Sequence, residues 1–194
     1  MSETRRKLVA AAAREIERLG YHGTDTNRIA RAAGFAPATF YKHFADKHDI
    51  FLAAHAEWVD TEWQALDEIT GDPETRARAV VDFVVLHHRR WRGLRASLRA
   101  LVATDAKVRD FHRAERRRQL ARMGAGPEAS PARRAIAAIL LLEVERDADG
   151  LADGELEALG VEEGAARRHL ASRVVAYLTL PEPDPPAGAA TARR

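Results

Sequence analysis

Cysteine is missing from this chain of 194 residues, which excludes a disulfide framework, a thiolate metal site and a catalytic thiol. Also missing is any apolar run approaching the ~20 residues that cross a bilayer. The opening MSETRRKLVAAAAREIERLG carries charge on both sides of a short apolar portion, unlike a signal peptide. A cytoplasmic location without a membrane partner is therefore expected. Aromatic residues are few, 6%, and together with the β-branched residues they are too scattered for runs of period two, so no β-sheet is expected. Catalytic signatures are lacking as well: there is no Gly-rich phosphate loop, HExxH, paired ExxH or nucleophile elbow, and the histidines are dispersed. The expectation is a protein that is not an enzyme and holds neither cofactor nor metal.

What is present points to helices. Hydrophobic residues make up 46% and charged residues 31%, with Ala and Arg abundant, the composition of an all-α fold. The net charge of +2 is unevenly spread: residues 1 to 55 hold nine Lys/Arg against six Asp/Glu, leaving 22 against 23 for the rest. A positive N-terminal quarter suits a nucleic-acid partner, and a solvated helical face explains it equally well.

Leu8, Ala12, Ile16 and Leu19 recur at helical spacing and predict a first helix over about 4 to 19, stopped by Gly20. Gly20 and Gly23 bracket a turn. Thr24 or Asp25 can cap a short second helix whose apolar face is Ile29, Ala30 and Ala33 and which ends at Gly34. Pro37 suits the first position of a third helix, expected to reach Phe44. A long fourth helix follows from about Lys47 to Ile69, with Ile50, Phe51, Ala54, Trp58 and Leu66 inward. Further helical patterns cover roughly 74 to 91, 94 to 103, 105 to 123, 132 to 150 and 165 to 180. The run Ile136 to Leu142 is apolar nearly all round, as in a helix covered on more than one side. PEPDPPAGAATARR reads as a disordered tail.

The stretch GFAPATFYKHF, Gly34 to Phe44, carries the functional signal. On a helical wheel Phe40 and Phe44 share one face, most simply core beside Ile16, Leu19 and Ile29. Ala38, Thr39 and Lys42 lie opposite, and Tyr41 and His43 flank the boundary. Small residues at the helix start, Pro37 and Ala38, permit close approach, while a hydroxyl, a phenol, an ammonium and an imidazole bond to phosphates and base edges. Two short helices joined by a glycine turn, the second with a polar outer face, form the helix-turn-helix layout that enters the major groove. An antiparallel helix hairpin without DNA gives the same pattern.

IARAAGFAPATFYKHFADKHDIF resembles the DNA-binding signature of the TetR family of transcriptional regulators, and the preceding GYHGT fits that family's turn between its first two helices. The likeness covers about residues 5 to 55. It implies a three-helix DNA-binding domain with helix-turn-helix at 1–47 and a helical ligand-binding and dimerisation domain at 48–180, followed by a tail at 181–194. It further implies that Thr39, Tyr41, Lys42 and His43 approach double-stranded DNA, with Pro37 and Ala38 at the same surface, and that Lys47 meets a phosphate. Arg28 is a candidate for another backbone contact; a solvated face is the alternative. Where the family often has a capping Ser, this chain has Ala36, which removes one cap and one phosphate contact.

One helix-turn-helix reads few base pairs, so a homodimer reading two half-sites is expected. Ile136, Ile139, Leu140 and Val144 form one apolar strip and Leu170, Val174, Tyr177 and Leu178 another; either they meet a second subunit, as the resemblance favours, or they pack within one. The resemblance also implies a repressor released from a palindromic operator by an unidentified small molecule, bound near Trp58, Trp63, Phe83, His87, Trp91 and Phe111, each of which suits plain core equally. The adjacent His87 and His88 point apart on a helix, poor geometry for one metal. RRWRGLRASLR is read as an acid-paired or solvated face, and Glu143 with Asp147 as a lone helical pair. The rival readings are an all-α enzyme and a helical interaction module without DNA.

Overall fold

The computed structural model describes residues 2–181; most of the expected tail lies outside them. Ten helices run in order, α1 (Glu3–Leu19), α2 (Thr26–Ala32), α3 (Pro37–Phe40), α4 (Lys47–Asp67), α5 (Pro73–Arg90), α6 (Arg92–Thr104), α7 (Ala106–Arg122), α8 (Pro131–Asp153), α9 (Glu155–Ala158) and α10 (Glu163–Leu178), and no strand occurs among the described residues. The starts are set by side-chain caps on free amides: Ser2, Asp25, Asp46, Asp72, Asp105, Ser130 and Glu162 each accept from the first turn of the helix they precede.

The structure departs from the sequence expectation at α3, which stops at Phe40 instead of Phe44. Beyond it the chain tightens into three-residue turns, Lys42 N–H donating to the Thr39 carbonyl at 3.3 Å and His43 N–H to Phe40 at 2.9 Å. The chain must reverse at Ala45 and Asp46 to enter α4, and a tightened last turn closes the carbonyls that a longer helix would use.

Two hydrophobic cores result. The first gathers Leu8, Val9, Ala12 and Ile16 of α1, Ile29 and Ala30 of α2, Phe40, Phe44, and Ile50, Phe51, Ala54, Trp58 and Val59 of α4, and it is closed by Leu94, Leu98 and Leu101 of α6 and Val108 of α7. The second joins Ala77, Val81, Val84 and Val85 of α5 to Leu140, Ala148 and Leu151 of α8 and Leu170, Ala171 and Val174 of α10. Helix α4 belongs to the first core through most of its length, and α6 leans on α1. A Cβ at Gly93 would stand 2.1 Å from the Glu17 carbonyl oxygen, so only glycine lets these two helices approach so closely. The Glu17 carboxylate then accepts from Leu94 N–H at 2.9 Å, and the Ser97 hydroxyl accepts from Tyr21 N–H at 3.0 Å.

Candidate nucleic-acid interface and regulatory core

The α2–α3 unit is positioned from its buried side. Phe40 and Phe44 are buried, their rings 5.7 Å apart, and Phe35 N–H returns to the Ala30 carbonyl at 2.9 Å across Gly34, which holds φ at +81°. That left-handed step turns the chain from α2 into α3 and suits glycine. Ala36 gives α3 no side-chain cap, and Pro37 occupies its first turn.

The opposite side faces solvent. Ala38, Tyr41 and Lys42 are exposed, while Pro37, Thr39 and His43 are half-buried. Tyr41 is 57% exposed, yet its hydroxyl shares a 3.0 Å hydrogen bond with the Thr26 hydroxyl at the start of α2. The two helices thereby present one connected surface. Arg28 is exposed and its Nε donates to Glu15 of α1 at 2.6 Å. Burial alone would raise the Glu15 carboxyl, but hydrogen bonds from Arg28 and Arg18 outweigh it and hold the group below its usual range.

Lys47 sits differently from the other candidates. Its ammonium donates to the Tyr21 carbonyl at 2.9 Å and the Thr24 carbonyl at 3.0 Å and lies 4.2 Å from the centre of the Tyr21 ring. Partial burial draws its pKa down. Two of its three donors thus tie the α1–α2 turn to the head of α4, leaving one for another acceptor. A second tie escaped the sequence reading: Arg5 donates to the His43 carbonyl at 2.9 Å, its guanidinium 4.1 Å from the Phe44 ring centre. Nothing local marks such a bond, since its partner lies 38 residues away.

Among α4, α5 and α7 most of the aromatic candidates come together. Phe83, His87 and Trp58 stack in sequence, with centroid distances of 5.4 Å and 4.8 Å, and His55 continues the row to Phe111 at 5.9 Å. Trp58, His87 and Trp91 also line a cavity of about 240 Å³ between α1, α4 and α5. Trp63 stands apart from the row, with Arg122 5.9 Å from its ring centre.

Beside this row lies a buried ionic network. Arg95 Nε and Nη2 donate to Asp149 at 2.9 and 2.8 Å and Nη2 reaches Glu145 at 3.3 Å; Arg116 pairs with Glu145, Arg99 lies 2.7 Å from Asp149, and His88 Nδ1 is 2.9 Å from Asp149. Burial presses the Glu145 carboxyl upward, but Arg95 and Arg116 overcome it and hold it at about 2. For His88, burial opposes the charge while hydrogen bonds to Asp149 and Glu62 favour it more, and its pKa is raised. His55 is the reverse case: burial first, then the nearby Arg95, bring it down to about 3. The basic run of α6 is thus acid-paired. Its sequence signal was the spacing of Arg95 and Arg99 against Glu145 and Asp149, each four apart.

Of the apolar strips on α8 and α10, Leu140, Leu170 and Val174 pack in the chain's own core, and Val144, Tyr177 and Leu178 are half-buried against it. Ile136 and Ile139 are exposed, as is Leu142, so over Ile136–Leu142 the helix is covered on one side only within one chain, whereas Ala148 to Ala152 near its end are buried all round. Glu143 takes a 3.2 Å bond from Arg173 of α10. Among the described residues no group of three or more His, Asp or Glu is arranged to hold a metal, and no helix is long and apolar enough to cross a membrane.

The glycine-turned α2–α3 pair on its buried phenylalanines has the helix-turn-helix layout. Residues 8–54 match the model of the bacterial regulatory proteins of the tetR family, and over 92% of its length the chain shares the fold of solved proteins described as TetR-family regulators. A protein described as a TetR-family transcriptional regulator from Rhodococcus sp. superposes with a TM-score of 0.70 at 19% identity, over 92% of this chain and all of that one. A transcriptional regulator from Streptomyces coelicolor A3(2) gives 0.68 at 20% identity, over 92% and 100%. A regulator from Saccharomonospora viridis, solved in complex with choline, gives 0.59 at 20% identity, over 92% and 96%. Among curated proteins none matches the sequence.

Proposed function

We propose that the protein is a homodimeric DNA-binding transcriptional repressor, not an enzyme, that leaves a palindromic operator when a small molecule binds its helical body. The observation that carries this reading is the outward face of α2 and α3: Ala38, Tyr41 and Lys42 stand exposed on a pair of buried phenylalanines, with the Tyr41 hydroxyl linked to Thr26. A rigid base with a polar, small-residue front suits insertion into the major groove. Pro37, Thr39 and His43 border that front, Arg28 and Lys47 flank it, and residues 1–47 form the head against a body of 48–180.

The outer side of α8 and α10 is our candidate dimer face, where Ile136 and Ile139 are exposed beside the Glu143–Arg173 pair. Leu140, Val144, Leu170, Val174, Tyr177 and Leu178 back this face from within. The effector is placed near the row of Phe83, His87, Trp58 and Phe111, with Trp63 and Trp91 at its margins; the choline-bound relative supports a small organic effector. Cytoplasmic action on double-stranded DNA follows from the same reading.

Selection of duplexes from a random pool by the purified protein, followed by sequencing of what is bound, tests it. Enrichment of a palindrome whose affinity falls with rising salt is expected, because neutralised phosphates release counterions. A folded dimer that enriches nothing, with or without small amines present, would overturn it.

A further inference from the structure

The cavity of about 240 Å³ between α1, α4 and α5 has an apolar interior and a charged mouth. Val9, Ala10 and Ala13 of α1 give it a wall of small side chains, and Trp58 of α4, His87 of α5 and Trp91 give it aromatic surface. Trp58 and His87 are buried, and burial draws the His87 pKa down, so its ring is neutral. Three exposed charges stand at the mouth: Arg14 of α1, Glu57 of α4 and Arg90 at the end of α5. Neighbouring arginines are engaged, Arg18 with Glu15 and Arg89 with Glu163, and Arg95, whose guanidinium lies 5.0 Å from the Trp58 ring centre, is held by Asp149 and Glu145. Arg14 and Arg90, by contrast, form no ion pair among the described residues, whether with Glu57 or with any other carboxylate.

The class of ligand follows from this arrangement. Cavities for drug-sized molecules start at about 300 Å³, so one of this size suits a compact body, and the rings in its walls suit a flat one. Two guanidinium groups against one carboxylate leave the mouth positive. An ammonium ligand would meet two like charges there, and an uncharged one would leave both guanidinium groups to water. A carboxylate matches the planar fork of an arginine, which holds it through paired N–H donors. We propose that this cavity binds a small aromatic monocarboxylate, with its ring against the α1 alanines and the indoles of Trp58 and Trp91 and its charge at the mouth with Arg14 and Arg90. The proposal rests on the reading of the protein as an effector-controlled regulator and names the chemical class of that effector. Helix α1 walls the cavity and also packs Leu8 and Ile16 into the core that holds Phe40 and Phe44, so the ligand bears on the support of the outward face.

Calorimetric titration of sodium benzoate into the full-length protein tests the site. Saturable binding is expected with benzoate. Binding at least ~10-fold weaker is expected with acetate, which has the charge without the ring, with benzamide, which has the ring without the charge, and with benzylammonium, which reverses the charge. Arg14→Gln and Arg90→Gln should each weaken benzoate binding by about tenfold, as the loss of a hydrogen bond to a charged group does. Both side chains are exposed, so neither change threatens the fold. No saturable binding of benzoate, acetate, benzamide or benzylammonium binding as tightly as benzoate, or undiminished affinity in the R14Q/R90Q double variant overturns the proposal. Duplex selection with the same protein separates the two readings: benzoate bound while no duplex is selected sinks the regulator and keeps the site, and a selected palindrome without benzoate binding does the reverse.

Discussion

At the scale of single residues, His55 stands out because both of its ring nitrogens are buried without partners. The imidazole is held at about 3, burial being the main cause, so it is neutral in the fold. The unfolded chain takes up that proton below about 6.5. Its contribution is therefore complete above that value and lost as pH falls toward the folded one, a loss of about 2 kcal/mol by pH 5. His87 and His112 are also lowered, both mainly by burial, and add in the same direction. Thermal unfolding at pH 7 and pH 5 should show this drop, and His55→Leu should shrink it while costing little at pH 7, because a leucine leaves no nitrogen unpaired. Phe40 and Tyr41 make a sharper contrast. Phe40→Ala should lower stability by about 3 to 4 kcal/mol, whereas Tyr41→Ala should stay within about 0.5 kcal/mol and weaken duplex binding, a split that denaturant titration beside a binding assay would reveal. The inward phenylalanines were legible in the sequence because their four-residue spacing is a local signal. The grip of Lys47 on Tyr21 and Thr24 was not, since the carbonyls that receive it carry no residue-type signature.

At the scale of elements, α3 is the weakest helix near the candidate interface: four residues with no side chain on its first amides. Ala36 already has the extended backbone of a cap, φ −66° and ψ 148°. Ala36→Ser should therefore add about 0.5 to 1 kcal/mol, read as a rise in the unfolding midpoint. Helices α6 and α8 show the opposite economy, being joined by charge inside the protein. Arg95→Met strips Asp149 and Glu145 of a shared partner and should cost about 3 kcal/mol or more, a loss that denaturant titration would measure. The longer helices were legible, because amphipathic spacing and capping residues are written locally, whereas the four-residue α9 is too short to show a spacing. The length of α3 was overestimated, since the reversal into α4 is a demand of tertiary packing. Of the interior charge only the matched four-residue spacing of Arg95 and Arg99 with Glu145 and Asp149 was written in the sequence; its burial was not, because an Arg or Glu on a helix looks the same whether water or a partner helix covers it.

At the scale of the whole molecule, the exposed isoleucines of α8 bear on assembly. Ile139 is 57% exposed in the single chain, and Ile139→Asp should weaken dimerisation on the order of 100-fold, as expected for a charge placed in a buried contact. Sedimentation would report the monomer, and duplex affinity should fall with it. The resemblance implied a boundary after Lys47, but the core runs across it: Leu94, Leu98, Leu101 and Val108 join the hydrophobic centre built by α1 to α4. The head is held by the continuous α4, by the seat of α6 on α1 at Gly93 and Glu17, and by the core that Leu94, Leu98, Leu101 and Val108 complete. With its centre completed by side chains of the body, the outward helix pair has no joint of its own, so a displacement of α6 or α4 is handed to it through close-packed side chains.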